Sequence, residues 1–365
     1  MIDARHMWAA LGIARRGLGT TWPNPSVGCV VVKDGVVVAR GATAKGGRPH
    51  AETEALARAG RDARGSTVYV TLEPCAHHGN TAPCADALLA AKVGRVVVAV
   101  EDPDSRTKGQ GIARLRDAGL EVQVGLLARE AEELNAGFFS LMKSGRPLVT
   151  LKLATSLDGK IAAHTGESQW ITGEAARARA HLLRATHDAV VVGSGTVLTD
   201  DPELTCRLPG MLERSPVRVV VDGLLRVPLT ARVVSGAKRV PTWFITRHGA
   251  DKDRRHAFEE CGVELIEVAA GDGGETDLGA ALAVLGKKGV TRLLVEGGAT
   301  LGAALLRADL VDRIEWFRAP SLIGGDGVAS VAALGVTSPG EARRFKPVAC
   351  EPFGEDVLES FTRAV

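Results

Sequence analysis

Residues 29–40, CVVVKDGVVVAR, are two apolar runs separated once by polar residues, at the turn through Asp34-Gly35. Two strand-like runs joined by Asp-Gly predict a β-hairpin. Ahead of it, residues 3–17 space their apolar side chains as a helix does. Beyond it the period switches repeatedly: a helix opened by His50, a strand at 66–70 (STVYV), a helix from Ala85, a strand at 96–100 (VVVAV). A helix around 112–118, a strand at 121–124 (EVQV) and a helix over 131–143 follow. A hairpin leading into alternating α and β elements predicts a sheet covered by helices on both faces. The run SGRP, 144–147, is the natural seam. After it LVTLKLATSLDGKIA begins a new strand, and alternation resumes with strands at 189–193, 217–222, 242–246, 263–268 and 292–298. Helices are expected at 174–186, 252–261, 278–288 and 299–307, giving a second α/β domain of mostly parallel strands.

Length agrees with this division, since 365 residues exceed what one hydrophobic core usually organises. A net charge of +2, without basic runs interleaved with aromatics, excludes nucleic acid as the expected partner. No apolar stretch approaches the roughly 20 residues of a membrane span, and MIDARHMWAALGIARRG reads as an amphipathic helix without a signal-peptide core. Six cysteines are too sparse for a disulfide framework and fit a reducing cytosol, so a cytoplasmic location is expected. Cys29, Cys206, Cys261 and Cys350 read as small hydrophobes. Cys75 and Cys84 stand near other candidate ligands.

The chemistry starts with HAETEAL, 50–56. His50 and Glu52, two apart, lie on different faces of a helix, so one site can use both only at the helix start. Their partner is EPCAHHGNTAPC, 73–84, in which Cys75 follows a strand and Cys84 opens a helix. His50, Cys75 and Cys84 supply three ligands and leave a position open, the pattern of a catalytic rather than a structural zinc. Glu52 then stands beside the metal's water as the proton carrier to a departing amino group. H-A-E followed by P-C and P-C is the zinc deaminase signature, with eight residues rather than two between the cysteines. His77 and His78, inside that gap, are extra ligands, substrate contacts or loop polar groups.

The segments TWPNPSVGCVVVKDG, GRPHAETEAL, TLEPCAHHGNTAPC and LKLATSLDGKIA together closely resemble the bifunctional deaminase–reductase family of riboflavin biosynthesis, over nearly the whole chain. The resemblance implies a cytidine-deaminase-like α/β/α domain, residues 1–146, followed by a dihydrofolate-reductase-like α/β domain, residues 147–365. The first would use Zn²⁺ to deaminate 2,5-diamino-6-(5-phosphoribosylamino)pyrimidin-4(3H)-one. The second would use NADPH to reduce the ribosyl group of 5-amino-6-(5-phosphoribosylamino)uracil to ribityl. It implies Asn24 as a pyrimidine contact, although a turn-forming role for Asn24 stays open. A homo-oligomer acting on small molecules, with no membrane partner, is expected.

In the second domain, residues 151–173 run from a strand into a polar loop, as at a ligand crevice by strand carboxyl ends. The resemblance implies Ala154 and Trp170 at the nicotinamide cofactor and Ser168 at the substrate. Lys152 is a polar neighbour of the reacting group, and Trp170 reads equally as core packing. In 190–207 it implies Thr196 and Asp200 at the cofactor and Leu204 and Arg207 at the substrate. Arg184, on the preceding helix, joins Arg207 as a pair of guanidinium forks suited to phosphate. LLVEGGATLG, 293–302, gives a Gly-Gly turn into a helix, so backbone N–H groups of Gly297, Gly298, Ala299, Thr300, Leu301 and Gly302 are expected at cofactor phosphates. The resemblance implies Glu296 at the substrate; alone it reads as a capping acid. One departure stands out: the family commonly has Lys or Arg where this chain has Asn80. Arg106, Lys108 or both, just before a glycine and a helix start, are expected to supply that cation to the substrate phosphate, aided by the helix terminus; the other reading makes both solvated loop residues.

Overall fold

The structure, a computed structural model, describes residues 2–77, 82–105, 107–271 and 273–364. Asn80, His78 and Arg106 therefore lie outside the described residues. The chain divides into two compact units, Met1–Gly145 and Arg146–Val365.

In the first unit α1 (Ile2–Arg15) precedes the hairpin β1 (Gly28–Lys33) and β2 (Val36–Ala42). Asp34 and Gly35 have φ of 50° and 78°, the double left-handed turn that matches strand twist. There follow α2 (Ala51–Ala59), β3 (Thr67–Val70), α3 (Cys84–Ala90), β4 (Arg95–Val98), α4 (Gln110–Asp117) and β5 (Glu121–Val124). The sheet runs β2-β1-β3-β4-β5, antiparallel up to β3 and parallel beyond. A side chain on Gly28 would strike the Ala10 carbonyl, and one on Gly41, which pairs with Cys29, the Ala51 carbonyl. Adjacent residues of a strand face opposite ways, so α1 and α2 lie on opposite faces, and α2 starts tight against β2. Valines of β1, β3 and β4 fill the core between these layers. The helix expected over 131–143 is two, α5 (Ala128–Leu134) and α6 (Ala136–Ser144). They break at Asn135, whose amide holds the backbone N–H and carbonyl of Ser26 at 2.9 and 3.0 Å.

The second unit begins with β6 (Leu148–Thr155) and β7 (Lys160–Ala162). Then come α7 (Glu174–Ala185), β8 (Ala189–Gly193), α8 (Ser194–Asp200), β9 (Val217–Val221), α9 (Arg232–Ser235), β10 (Thr242–Arg247) and α10 (Lys252–Glu260). The unit closes with β11 (Glu264–Val268), α11 (Leu278–Lys287), β12 (Arg292–Val295), α12 (Ala299–Arg307), β13 (Arg313–Arg318), β14 (Val328–Ala329), β15 (Phe345–Phe353) and β16 (Asp356–Arg363). Its nine-stranded sheet has the order β11-β10-β9-β8-β12-β6-β13-β16-β15. The strands are parallel from β11 to β13; β16 and β15 are antiparallel additions at one end. A side chain on Gly297 would lie 2.6 Å from Val192 Cα, so only glycine lets the turn after β12 cross the end of β8. That crossing sits at the carboxyl ends of the parallel strands, where such sheets form a ligand crevice.

Two candidate active sites

His50 is the N-cap residue of α2, yet its ring makes no cap. It turns instead to the two cysteines, with Nδ1 at 3.3 Å from Cys84 Sγ and 3.6 Å from Cys75 Sγ. Cys84 is the first residue of α3, and its N–H donates to Cys75 Sγ at 3.3 Å. The three ligand atoms lie within 4.8 Å of one another. With bond lengths of about 2.0 Å to nitrogen and 2.3 Å to sulfur, a tetrahedral zinc has N–S edges of roughly 3.6 Å, so the donor set fits the ion. The Cys84 thiol donating to it and His50 beside it bring Cys75 down to about 4 despite its burial, the thiolate form a metal requires. Glu52 is buried, and burial pushes its carboxyl up to about 7. It sits in the first turn of α2 beside Cys84 and is not one of the three clustered donors.

A residue the sequence reading passed over organises the neighbouring loop. Glu73, 3% exposed, accepts four backbone N–H bonds: Asp102 at 3.2 Å, Gly109 at 2.9 Å, Gly111 at 2.9 Å and Ile112 at 3.1 Å. It thus caps α4 and ties the loop after β4 to the strand end that carries Cys75. An acid two residues before the first cysteine, directly after a strand, is the only signal the sequence offers. The expectation that the α4 terminus helps bind substrate phosphate is corrected here, because its N–H groups are occupied by Glu73. Lys108 is exposed at that loop. His77 is no part of the metal cluster; its Nδ1 lies 3.0 Å from Thr107 Oγ1. Asn24 packs its amide over Gly47, on the segment leading to His50.

In the second unit a cavity of about 510 Å³ opens at the carboxyl ends of β6, β8 and β12. Lys152, Ala154, Ser168, Thr196, Asp200, Glu296 and the turn Gly297 to Leu301 all line it. Arg184 grips Glu296 through both oxygens, at 2.6 and 2.8 Å, and donates to the Thr205 carbonyl at 2.8 Å. Burial alone would raise the Glu296 carboxyl; Arg184 and Lys152 hold it down at about 2. Lys152 is half-buried, and the loss of water around its ammonium weakens it, with Glu296 supporting the charge. Glu296 is therefore not a helix cap, and Arg184 meets the site as the partner of Glu296.

Other expected residues fall outside that wall. Trp170 is 65% exposed, with the Arg177 guanidinium 4.7 Å over its ring, and lines a different hollow; it is neither core nor cavity wall. Leu204 is packed in the core at 2% exposure. Gly302 faces Leu151 from within α12. Arg207 is exposed, its N–H donating to His181 Nδ1 and its guanidinium 3.7 Å from Glu203. Gly298, φ 45°, precedes α12 with no side-chain cap, so the first N–H groups of that helix suit a cofactor's phosphates.

Residues 1–100 match the cytidine and deoxycytidylate deaminase zinc-binding region, and residues 147–358 match the RibD C-terminal domain. The riboflavin biosynthesis protein RibD of Escherichia coli is 43% identical over 368 residues, covering 98% of either chain. Acinetobacter baumannii RibD superimposes with a TM-score of 0.90 at 38% identity, covering 100% of this chain and 99% of its own. A diaminohydroxyphosphoribosylaminopyrimidine deaminase/5-amino-6-(5-phosphoribosylamino)uracil reductase from Thermotoga maritima gives 0.87 at 34% identity, with the same coverage. No described helix is long and apolar enough to cross a membrane. With a thiolate–imidazole cluster in one unit and a cofactor crevice in the other, the chain belongs to the RibD family, the zinc- and NADPH-dependent bifunctional deaminase–reductases of riboflavin biosynthesis.

Proposed function

We propose that the first unit removes the amino group of 2,5-diamino-6-(5-phosphoribosylamino)pyrimidin-4(3H)-one and that the second reduces the ribosyl group of the product. The observation that carries this reading is the His50–Cys75–Cys84 cluster with buried Glu52 beside it. Zinc bound there supplies the Lewis acidity that makes water nucleophilic near neutral pH. Glu52 takes the proton from the attacking water and delivers it to the departing nitrogen. Asn24 orients the pyrimidine, and Lys108, with Arg106, meets its phosphate.

For the reduction, NADPH supplies the hydride. Ala154, Thr196, Asp200 and the turn 297–301 hold the cofactor, and Ser168 contacts the substrate. Lys152 delivers the accompanying proton to the ribosyl group. Glu296, fixed by Arg184, keeps Lys152 charged until then, and Arg207 meets the substrate phosphate. A cytoplasmic homo-oligomer completes the proposal: all six cysteines are unpaired, and β15 leaves a sheet edge open for pairing.

Glu52→Gln is expected to cut ammonia release about 10²- to 10⁴-fold while zinc content stays near one per chain. Cys75→Ser should lose the metal as well, read by atomic emission. Substantial deamination by Glu52→Gln would remove the proton carrier from the scheme.

A further inference from the structure

A two-stranded ribbon, β7 paired with β14, stands apart from the nine-stranded sheet and runs along the reductase crevice. Ile161 and Ala162 of β7, with Val328 of β14 and Ser330 just past it, line the cavity that Lys152 and Ala154 also line. The segment 321–330, which carries β14, is held by the turn that joins β6 to β7. The Leu157 N–H donates to the Ser321 carbonyl at 2.8 Å, and the Ser330 N–H to the Gly159 carbonyl at 3.0 Å. Between these two ties stands Asp158, an exposed acid that the reaction scheme leaves unused. One of its oxygens accepts the Ile323 N–H at 3.2 Å and the other the Gly324 N–H at 2.7 Å. Ser156, fully buried, orients the carboxylate by donating to it from Oγ at 2.6 Å. A side chain on Gly327 would lie 2.6 Å from Ile323 Cγ2 and 3.0 Å from the Ala162 carbonyl oxygen, so the segment packs tight against β7.

The ribbon is thus a wall with a clasp. β7 runs directly into the turn 163–167, in which the Ala163 N–H donates to the Glu167 carbonyl at 2.9 Å, and that turn delivers Ser168 to the crevice. We infer that Asp158 is a positioning residue of the reductase: by clasping 321–330 to the β6–β7 turn it holds the ribbon, and Ser168 with it, where the ribosyl substrate is received. This rests on the NADPH-reductase reading and deepens it. Thr196, Asp200 and the turn 297–301, proposed for the cofactor, follow β8 and β12 instead, so loss of the clasp falls on the substrate more than on NADPH. Water competes for every bond of an exposed carboxylate, so the clasp sets a population and not an all-or-none state.

Steady-state kinetics of the full-length chain test this, with 5-amino-6-(5-phosphoribosylamino)uracil as the varied substrate and NADPH binding followed separately by fluorescence titration. If removing the clasp leaves the ribbon in place about a tenth of the time, apparent affinity falls by that factor and saturating substrate restores it. Asp158→Ala should therefore raise the substrate KM about tenfold, with kcat and the NADPH Kd each within about threefold of wild type. Asp158→Asn keeps an acceptor for one of the two N–H groups and should fall between. It decides the matter if Asp158→Ala loses the thermal transition of the second unit. A kcat that falls at constant KM is the mark of a merely structural role and overturns the inference, as does an NADPH Kd that rises in step with KM. If the wild-type chain does not reduce this uracil with NADPH, the reductase reading itself fails; if it does and both variants match it, only the present inference does.

Discussion

Replacing Glu73 by glutamine changes one oxygen to an NH₂ group and nothing else in shape. The carboxylate divides four donors between its oxygens: Gly111 and Ile112 N–H on Oε1, Asp102 and Gly109 N–H on Oε2. Whichever way the amide is turned, two N–H groups then face N–H donors. Hydrogen bonds to a charged acceptor are worth about 1.5–3 kcal/mol each, so losing two costs about 3–6 kcal/mol. Whole domains are stable by only about 5–15 kcal/mol. At about 2–4 °C per kcal/mol for a unit of this size, the first unit of Glu73→Gln should melt roughly 6–24 °C early. Differential scanning calorimetry of the full chain reads the shift. Amide exchange across 102–112 should accelerate before the rest of the unit opens. A shift below about 3 °C, with exchange there unchanged, would refute the claim that one carboxylate holds this loop.

Glu296→Gln removes the anion that Arg184 and Lys152 share; breaking a buried pair costs about 3–5 kcal/mol, so the second unit should melt early and hydride transfer should fall while ammonia release persists. An unchanged transition would mean the pair stabilises nothing. His187, buried between the Leu183 carbonyl and Thr150 Oγ1, is lowered by burial from 6.5 to about 3. Its folded value lies below the unfolded one, so its stabilisation is full above about 6.5 and is lost as pH falls toward 3. Thermal melts from pH 7.5 to 4 should therefore slope less steeply in His187→Gln than in wild type, and parallel slopes would count against this.

What could be read from the chain was what its neighbours in sequence decide. The hairpin at Asp34-Gly35 needs only two residues able to adopt positive φ, and the His50–Glu52 arrangement needs only a helix start. Partners far away in sequence decided the rest. Asn135 looks like a tolerable helix residue until Ser26, 109 positions earlier, claims its amide. Arg184 looks like a solvated arginine until Glu296, 112 positions later, closes on it. Residues 194–200, SGTVLTD, show no helical spacing of apolar side chains, yet they form α8. The strands β15 and β16 escaped notice because the outer one is nearly all exposed, with two prolines, and has no apolar face to alternate.

The position of β6 has a consequence for the order in which the chain can become an enzyme. It is the first strand of its sheet to be synthesised and ends in the interior, between β12 and β13. Neither neighbour exists until the ribosome has passed Arg292 and then Arg313. Until then β6 has both edges open, and slow long-range parallel pairing of this kind is where nascent chains are exposed to aggregation. The first unit, by contrast, is already complete in sequence at Gly145. Its cysteines and histidine are all synthesised while the crevice for the nucleotide is still unmade, so a ribosome stalled late in this message is expected to leave behind a metal site without a reductase.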